Sequence, residues 1–254
     1  MTGKRRPQRV MRPSTRVERE HWQAGSTVIV GADAVGVASL SGPVVAAAIA
    51  WPPYARRVPG VRDSKMLSRA QRERLFPLIR RRALAVGIGA ASVTEIDRIN
   101  IYHATNLAMR RAICRVADRE HVLIDGLRVF GFQDHVGAYT AIVRGDAKCY
   151  SIAAASIIAK VVRDRLMDRL SVRYPYYGWE HNAGYATLDH RRGILEHGIT
   201  AFHRRSFARV RAVALGEQLE LDLASQDGVD ELEALDEIEA LESSDELEVA
   251  LATA

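Results

Sequence analysis

Arg144 to Met167 reads RGDAKCYSIAAASIIAKVVRDRLM. It follows a β-prone run, Tyr139 to Val143, and Asp146 stands just past the end of that run. Ser151 to Leu170 then reads as one long helix. Its first half is small or apolar and its second half charged, so the helix starts in the core and emerges at the surface. A strand passing through a short acid-bearing turn into such a helix is a piece of a mixed α/β domain.

Upstream, His121 to Asp125 (HVLID) reads as a buried strand that also ends on an aspartate. Thr27 to Val30 is a short β-prone run. After a glycine-bearing turn Pro43 to Trp51 is another, and the two predict core strands in a hairpin, with Asp33 following the first. Between Ser68 and Arg82, Leu75, Leu78 and Ile79 recur at helical spacing with Ser68 as N-cap, and Ile101 to Ala117 has the same period. Downstream, Pro175, Gly178 and Gly184 interrupt the chain before final helices at Leu188 to His197 and Ala208 to Gln218.

The chain has 254 residues, 48% of them hydrophobic and 26% charged, enough for one large domain with attachments. No run approaches the ~18 to 20 apolar residues of a membrane span, and the first twenty residues are too charged for a signal peptide. Cys114 and Cys149 are too few for a disulfide framework and lack zinc-site spacing, so a reducing cytoplasm is the expected setting.

Charge is distributed unevenly. Gly216 to Ala254 holds fourteen acidic residues and no Lys or Arg, leaving 17 acids against 36 bases before it, a surplus of about 19 positive charges. Such a body suits a polyanionic partner, because Lys and Arg that neutralise phosphates release counterions; the plainer alternative is a solvated charged surface. The organisation expected is a basic disordered arm over residues 1–24, a folded domain over 25–215 and a disordered acidic tail over 216–254.

Asp33, Asp125 and Asp146 each follow an apolar run where a strand would stop. Strand ends that meet on one side of a sheet gather their side chains, and gathered carboxylates repel unless a divalent cation such as Mg²⁺ or Mn²⁺ neutralises them. Two such cations can activate water and stabilise the leaving oxygen of a phosphodiester. Taken singly, each aspartate also reads as a turn former or helix cap.

The blocks GPVVAAAIAWP (Gly42 to Pro52), DSKMLS (Asp63 to Ser68), NIYHATNLAMRRA (Asn100 to Ala112), VLIDG (Val122 to Gly126), Arg144 to Met167, YPYYGWEHNAGYAT (Tyr174 to Thr187) and HRRSF (His203 to Phe207) occur in an order that resembles ribonuclease HII, the type 2 RNase H family. The resemblance covers about residues 25 to 210. It implies an RNase H-like mixed sheet flanked by helices with a small helical C-terminal region. It also implies cleavage of RNA in RNA/DNA hybrids and incision 5′ of single ribonucleotides in duplex DNA, with Mg²⁺ or Mn²⁺. The family's metal-binding carboxylates fall on Asp33, Asp125 and Asp146. Gly36 falls on a loop that approaches the 2′-hydroxyl, Tyr185 on a tyrosine that packs on the sugar, and Lys65 and Lys148 on phosphate contacts, with Arg204 and Arg205 as further backbone contacts.

One segment departs from the family. Where relatives resemble G-V-D-E-A-G-R-G-P-L-A-G-P-V, this chain has GADAVGVASLSGPV (Gly31 to Val44), with Ala34 for Glu, Val37 for Arg and Ala38 for Gly. Alanine offers no oxygen to a metal and valine no grip on a phosphate. The expectation is therefore impaired catalysis; the alternative is an inactive paralogue that binds hybrid or duplex without cutting. The acidic tail is expected to fold back on the basic groove or to recruit a basic protein.

Overall fold

The computed structural model describes residues 12–215. In chain order the elements are α1 (Arg16–Gln23), β1 (Ile29–Val35), β2 (Val44–Ala50), a 3₁₀ turn (Ser64–Met66), α2 (Arg69–Arg82), β3 (Ala85–Ala91), α3 (Val93–Ile113), β4 (His121–Asp125), α4 (Gln133–Val136), β5 (Tyr139–Ile142), α5 (Gly145–Lys148), α6 (Tyr150–Arg173), a second 3₁₀ turn (Pro175–Tyr177), α7 (Trp179–Asn182), α8 (Leu188–His197) and α9 (Ala208–Ala214). The strands form one five-stranded sheet in the order β3-β2-β1-β4-β5. β1 runs parallel to β4, with Ile29 opposite His121 and Ala32 opposite Ile124, and β4 runs parallel to β5, with Asp125 opposite Ile142.

Two compact units are present. The first holds the described part of Met1–Ala34 with Ala46–Gly89 and Met109–Val161; the second holds Val35–Val45, Ala90–Ala108 and the described part of Val162–Ala254. In the first, Ile29, Val30, Ala46 to Ala50, Val122 to Ile124 and Ile152 to Ala159 of α6 are completely buried. Burial of each Val or Ile among them contributes about 1.5–3 kcal/mol. In the second, Leu40, Met167, Tyr177, Trp179, Ile194 and Val210 form a separate core.

Local sequence explains most boundaries. Ser68 caps α2 as expected, and Gln71 completes a capping box with it. Ser92 and Glu95 form the reciprocal pair before α3, and Asn100, at φ 62°, breaks that helix and accepts a hydrogen bond from His103 N at 3.0 Å. A helix expected to begin at Ile101 is therefore the second segment of a kinked one. β3 escaped sequence reading because AVGIGAA, with two glycines, has weak strand propensity; pairing with β2 decides it.

Two expectations are corrected. β1 continues through Asp33 to Val35, so that aspartate lies within a strand rather than after one. Residues 12–24 are no loose arm: α1 forms there, with Trp22 and Glu18 buried. Ser14 N donates to Lys148 O at 2.9 Å and Tyr150 N to Ser14 O at 3.0 Å. Glu18 accepts from both the main-chain N and the hydroxyl of Ser151 at 2.8 Å, satisfying the first turn of α6. Basic charge, two prolines and little hydrophobic periodicity suggested disorder; a few long-range bonds and one tryptophan outweigh them. Residues 1–11, and the acidic tail at 216–254 with its fold-back, lie outside the described residues.

Gly31 is where α6 meets β1. A Cβ there would lie 2.4 Å from both the carbonyl carbon and the hydroxyl of Ser151. Gly31→Ala must therefore push the start of α6 off the sheet and is expected to cost about 3 kcal/mol or more, read as a lower urea midpoint at unchanged m-value.

Candidate active site

Three neighbouring strands and the turn after them deliver the acidic side chains. Asp33 projects from β1 and is only 6% exposed; its carboxylate accepts from Ala34 N at 2.7 Å and from the Ser156 hydroxyl on α6. Asp125 ends β4 and accepts from Gly145 N at 2.5 Å and from Asp146 N, which places its charge at the start of α5. Arg144, in the left-handed conformation at φ 55°, makes the sharp turn that sets these amides in place and carries Asp146 beside Asp125.

Asp33, Asp125 and Asp146 perturb one another. Burial, then the negative charges of Asp125 and Asp146, push the Asp33 carboxyl well above the usual carboxylate range. Asp125 is raised by burial against the pull of its amide donors. Asp146 is pushed up to about 6 by burial, by Asp125 and by Asp63. Asp63 is the member that sequence reading did not place in this group. It caps the Ser64–Met66 turn by accepting from Lys65 N at 2.9 Å and hydrogen-bonds the Asp146 carboxyl. Ser64 meets Ser156 at 2.7 Å, and the positive charge of Lys65 favours ionised Asp125. The Asp-Ser-Lys run is thus tied residue by residue to Asp146, to α6 and to Asp125, a convergence that only tertiary contact reveals. Asp63→Asn removes a negative neighbour, so Asp146 is expected to titrate below its present value of about 6, as followed by carboxyl ¹³C NMR.

Among the described residues no three His, Cys, Asp or Glu side chains are drawn into a closed metal-holding group. The donor chemistry nevertheless suits a hard divalent cation: carboxylate oxygens, mutually repelling and partly or wholly buried. Ala34, next to Asp33, contributes only its main chain.

In the second unit, Gly36 to Pro43 form a loop whose carbonyls face two buried guanidinium groups, Arg163 and Arg204. Tyr185 is half-buried with Arg163 5.7 Å from its ring centroid. His190 and His203, both buried, meet at 3.2 Å through their Nε2 atoms. His190 Nε2 also receives Trp179 Nε1–H at 3.0 Å and stands 3.0 Å from Ser41 Oγ, while its Nδ1 lies 2.8 Å from Tyr185 O.

The ribonuclease HII family profile matches residues 30–210. The chain belongs to the ribonuclease HII family. It is 52% identical to the ribonuclease HII of Thermosynechococcus vestitus over 194 residues, spanning 76% of this chain and 89% of that one. It is 46% identical to that of a Synechococcus species over 211 residues, 82% and 94% of the two chains. The crystal structure of the Pyrococcus horikoshii ribonuclease H2 superposes with a TM-score of 0.65 at 22% identity, covering 74% of this chain and 98% of that one. The RNase H-like fold is that of the family: a mixed five-stranded sheet flanked by helices.

Against this ribonuclease HII frame the sequence-derived residues divide into two groups. Asp33, Asp125 and Asp146 stand in one unit with Lys65 and Lys148; both lysines are exposed, and Lys148 Nζ donates to Val143 O at 2.6 Å. Gly36, Tyr185, Arg204 and Arg205 stand in the other. Arg205 is exposed, and its N–H, with that of Ser206, is held by Asp97 at 3.1 and 2.9 Å. Arg204 corrects its expected role. It is completely buried, and each guanidinium nitrogen donates to a carbonyl of the 36–42 loop, so its donors serve that loop rather than the protein surface. In sequence, adjacent arginines look alike; only burial separates the anchor from the surface residue.

Proposed function

We propose that this chain is a divalent-metal-dependent endonuclease that hydrolyses the phosphodiester 5′ of a ribonucleotide, in RNA/DNA hybrids and at single ribonucleotides in duplex DNA, at a rate reduced by the loss of the carboxylate at Ala34. The observation that carries this reading is the convergence of Asp33, Asp125 and Asp146, whose carboxyls are all raised by burial and each of which feels the negative charge of another acid. Such a group is costly to hold ionised unless a cation is bound, and retaining it makes sense for chemistry on phosphate rather than for stability.

Mg²⁺ or Mn²⁺, when bound, would supply a Lewis acid and a more acidic water. Asp33, Asp125 and Asp146 would hold it, with Asp33 oriented by Ala34 N and Ser156 and Asp125 oriented by Gly145 N. Lys65 and Lys148, both exposed, would meet backbone phosphates, and Tyr185 would pack on the sugar at the ribonucleotide. The surplus of positive charge before the tail supports nucleic acid as partner. No helix among the described residues is long and apolar enough to cross a membrane, and a cytoplasmic setting accords with two unpaired cysteines.

Ala34 itself favours a second reading, a scaffold that binds hybrid or duplex without cutting. The two are separated by incubating the natural protein and Asp125→Asn with a DNA duplex carrying one ribonucleotide, in Mg²⁺ and in Mn²⁺. Incision 5′ of the ribonucleotide that disappears in Asp125→Asn is the expected result. Tight binding with no incision in either metal would leave the binding scaffold.

A further inference from the structure

Arg163 and Arg204 are both completely buried, and neither donates to a carboxylate in the bonds that hold them. Arg163 gives Nε to Pro43 O at 2.9 Å, one terminal nitrogen to Ser41 O at 2.9 Å and the other to Ala183 O at 2.7 Å. Arg204 gives Nε to Gly42 O at 3.0 Å and its terminal nitrogens to Val37 O at 2.7 Å and Gly36 O at 2.6 Å. Five carbonyls of one loop, at positions 36, 37, 41, 42 and 43, are therefore fixed by two rigid forks. The sixth bond reaches Ala183, two residues before Tyr185, whose ring Arg163 also faces.

Burying two like-charged guanidiniums near each other is expensive, and both are held below the usual arginine range, Arg204 partly by Arg163 itself. An apolar pair of similar volume would fill the same space at lower cost. What the arginines supply instead is geometry: planar donors that fix where each peptide points. The described peptides are all trans, so a carbonyl aimed at Arg204 directs the amide of its own peptide the opposite way. The N–H groups of Val37 and Ala38 are therefore turned away from Arg204, and among the described residues neither meets an acceptor. Gly36 takes part in the same lock. At φ +86° a Cβ would lie 2.1 Å from Arg163 Nε, so this position admits no side chain while the guanidinium is in place.

We propose that Arg163 and Arg204 are positioning residues for ribonucleotide discrimination. Without touching the substrate, they fix the 36–43 loop, with its outward Val37 and Ala38 amides, in one arrangement with Tyr185. The proposal rests on the reading that this chain selects ribonucleotide-containing duplexes. It also explains how a loop that has lost its family arginine and second glycine can keep its main-chain shape: the shape is dictated from beneath by the two forks.

The test measures binding rather than cutting, in EDTA, by fluorescence anisotropy. Affinities for a duplex with one ribonucleotide and for the same all-DNA duplex are compared in the natural protein, Arg163→Lys and Arg204→Lys. Lysine keeps the charge but gathers its donors on one nitrogen, which cannot span the three separate carbonyls that the planar fork reaches. Preference for the ribonucleotide is expected to fall by about tenfold, equivalent to one lost polar discrimination, while affinity for the all-DNA duplex changes by less than about twofold. Undiminished preference in both lysine variants overturns the positioning role alone. A natural protein with no preference overturns the substrate reading and the proposal with it. If a lysine variant fails to fold by circular dichroism, Arg163→Gln takes its place under the same criterion. In the natural protein the amides of Ser41 and Gly42, bonded to Gly184 O at 3.3 Å and Phe202 O at 2.8 Å, are expected to exchange only on global opening. Rapid exchange there also overturns the proposal.

Discussion

Ala34→Glu is expected to raise the rate of incision 5′ of a single ribonucleotide by on the order of a hundredfold in Mg²⁺. The site as it stands offers Asp33, Asp125 and Asp146, with Ala34 contributing only main chain beside Asp33. A cation held there would supply several kcal/mol of stabilisation to the charge that develops on a phosphodiester, and a further carboxylate ligand would govern how firmly it is held. Restoring about 3 kcal/mol corresponds to about two powers of ten in rate. The gain should be larger in kcat than in KM, because the added carboxylate would act on charge present only in the transition state. Single-turnover incision in both variants, with Asp125→Asn as the inactive reference, provides the check. Recovery only after Val37→Arg and Ala38→Gly are added would locate the defect in substrate recognition instead. No gain from any of these substitutions would mean that the scaffold has lost more than its first motif.

Acidification from pH 7 to pH 5 is expected to remove about 4 kcal/mol of the stability that His190 and His203 contribute. Burial, the first cause in each case, lowers His190 to about 4 and His203 to about 3, the latter helped by His190 itself. The bonds agree with neutral rings. His190 Nδ1–H donates to Tyr185 O, leaving the Nε2 lone pair to accept from Trp179 Nε1–H at 3.0 Å, and His203 Nδ1 accepts from Thr200 N at 2.9 Å. The sign follows from linkage. In the unfolded chain both rings take up protons below about 6.5, whereas in the folded chain they stay neutral down to their lowered values, so the unfolded state gains protons first. Their stabilisation is complete above about pH 6.5 and declines from there as pH falls, by about 2 kcal/mol for each ring at pH 5.

The aspartates act in the opposite sense. Asp33, Asp125 and Asp146 have raised folded values, so the folded state keeps protons that the unfolded chain has released, and acidification favours it. Urea denaturation at the two pH values therefore needs His190→Asn/His203→Asn as comparison. The natural protein should lose about 4 kcal/mol more than the double variant on going from pH 7 to pH 5. Equal losses would mean that the two rings are protonated in the folded protein as well.

Much of the fold was legible because it rests on short-range rules. Ser68 capped α2, HVLID formed β4, and the small-residue half of Arg144 to Met167 entered the core as its apolar pattern required. The positions of Asp125 and Asp146 at strand ends were legible because a polar residue after an apolar run is where a parallel strand gives way to its turn. The family itself was carried by blocks of sequence, and that Ala34 has no side-chain oxygen needs no coordinates.

Other features were decided by contacts between residues far apart in the chain. α1 is ordered because Glu18 satisfies the start of α6 more than a hundred residues away, against a composition that suggests a loose arm. Asp63 joins the acidic group because the Ser64–Ser156 contact brings its turn there. Arg204 and Arg205, neighbours of identical chemistry, part into a buried clamp and an exposed cation only when Gly36, Val37 and Gly42 present their carbonyls to one of them. Sequence determines what each residue can donate, accept or bury; which of those capacities is used depends on which groups the fold brings within about 3 Å, the range at which a hydrogen bond is made.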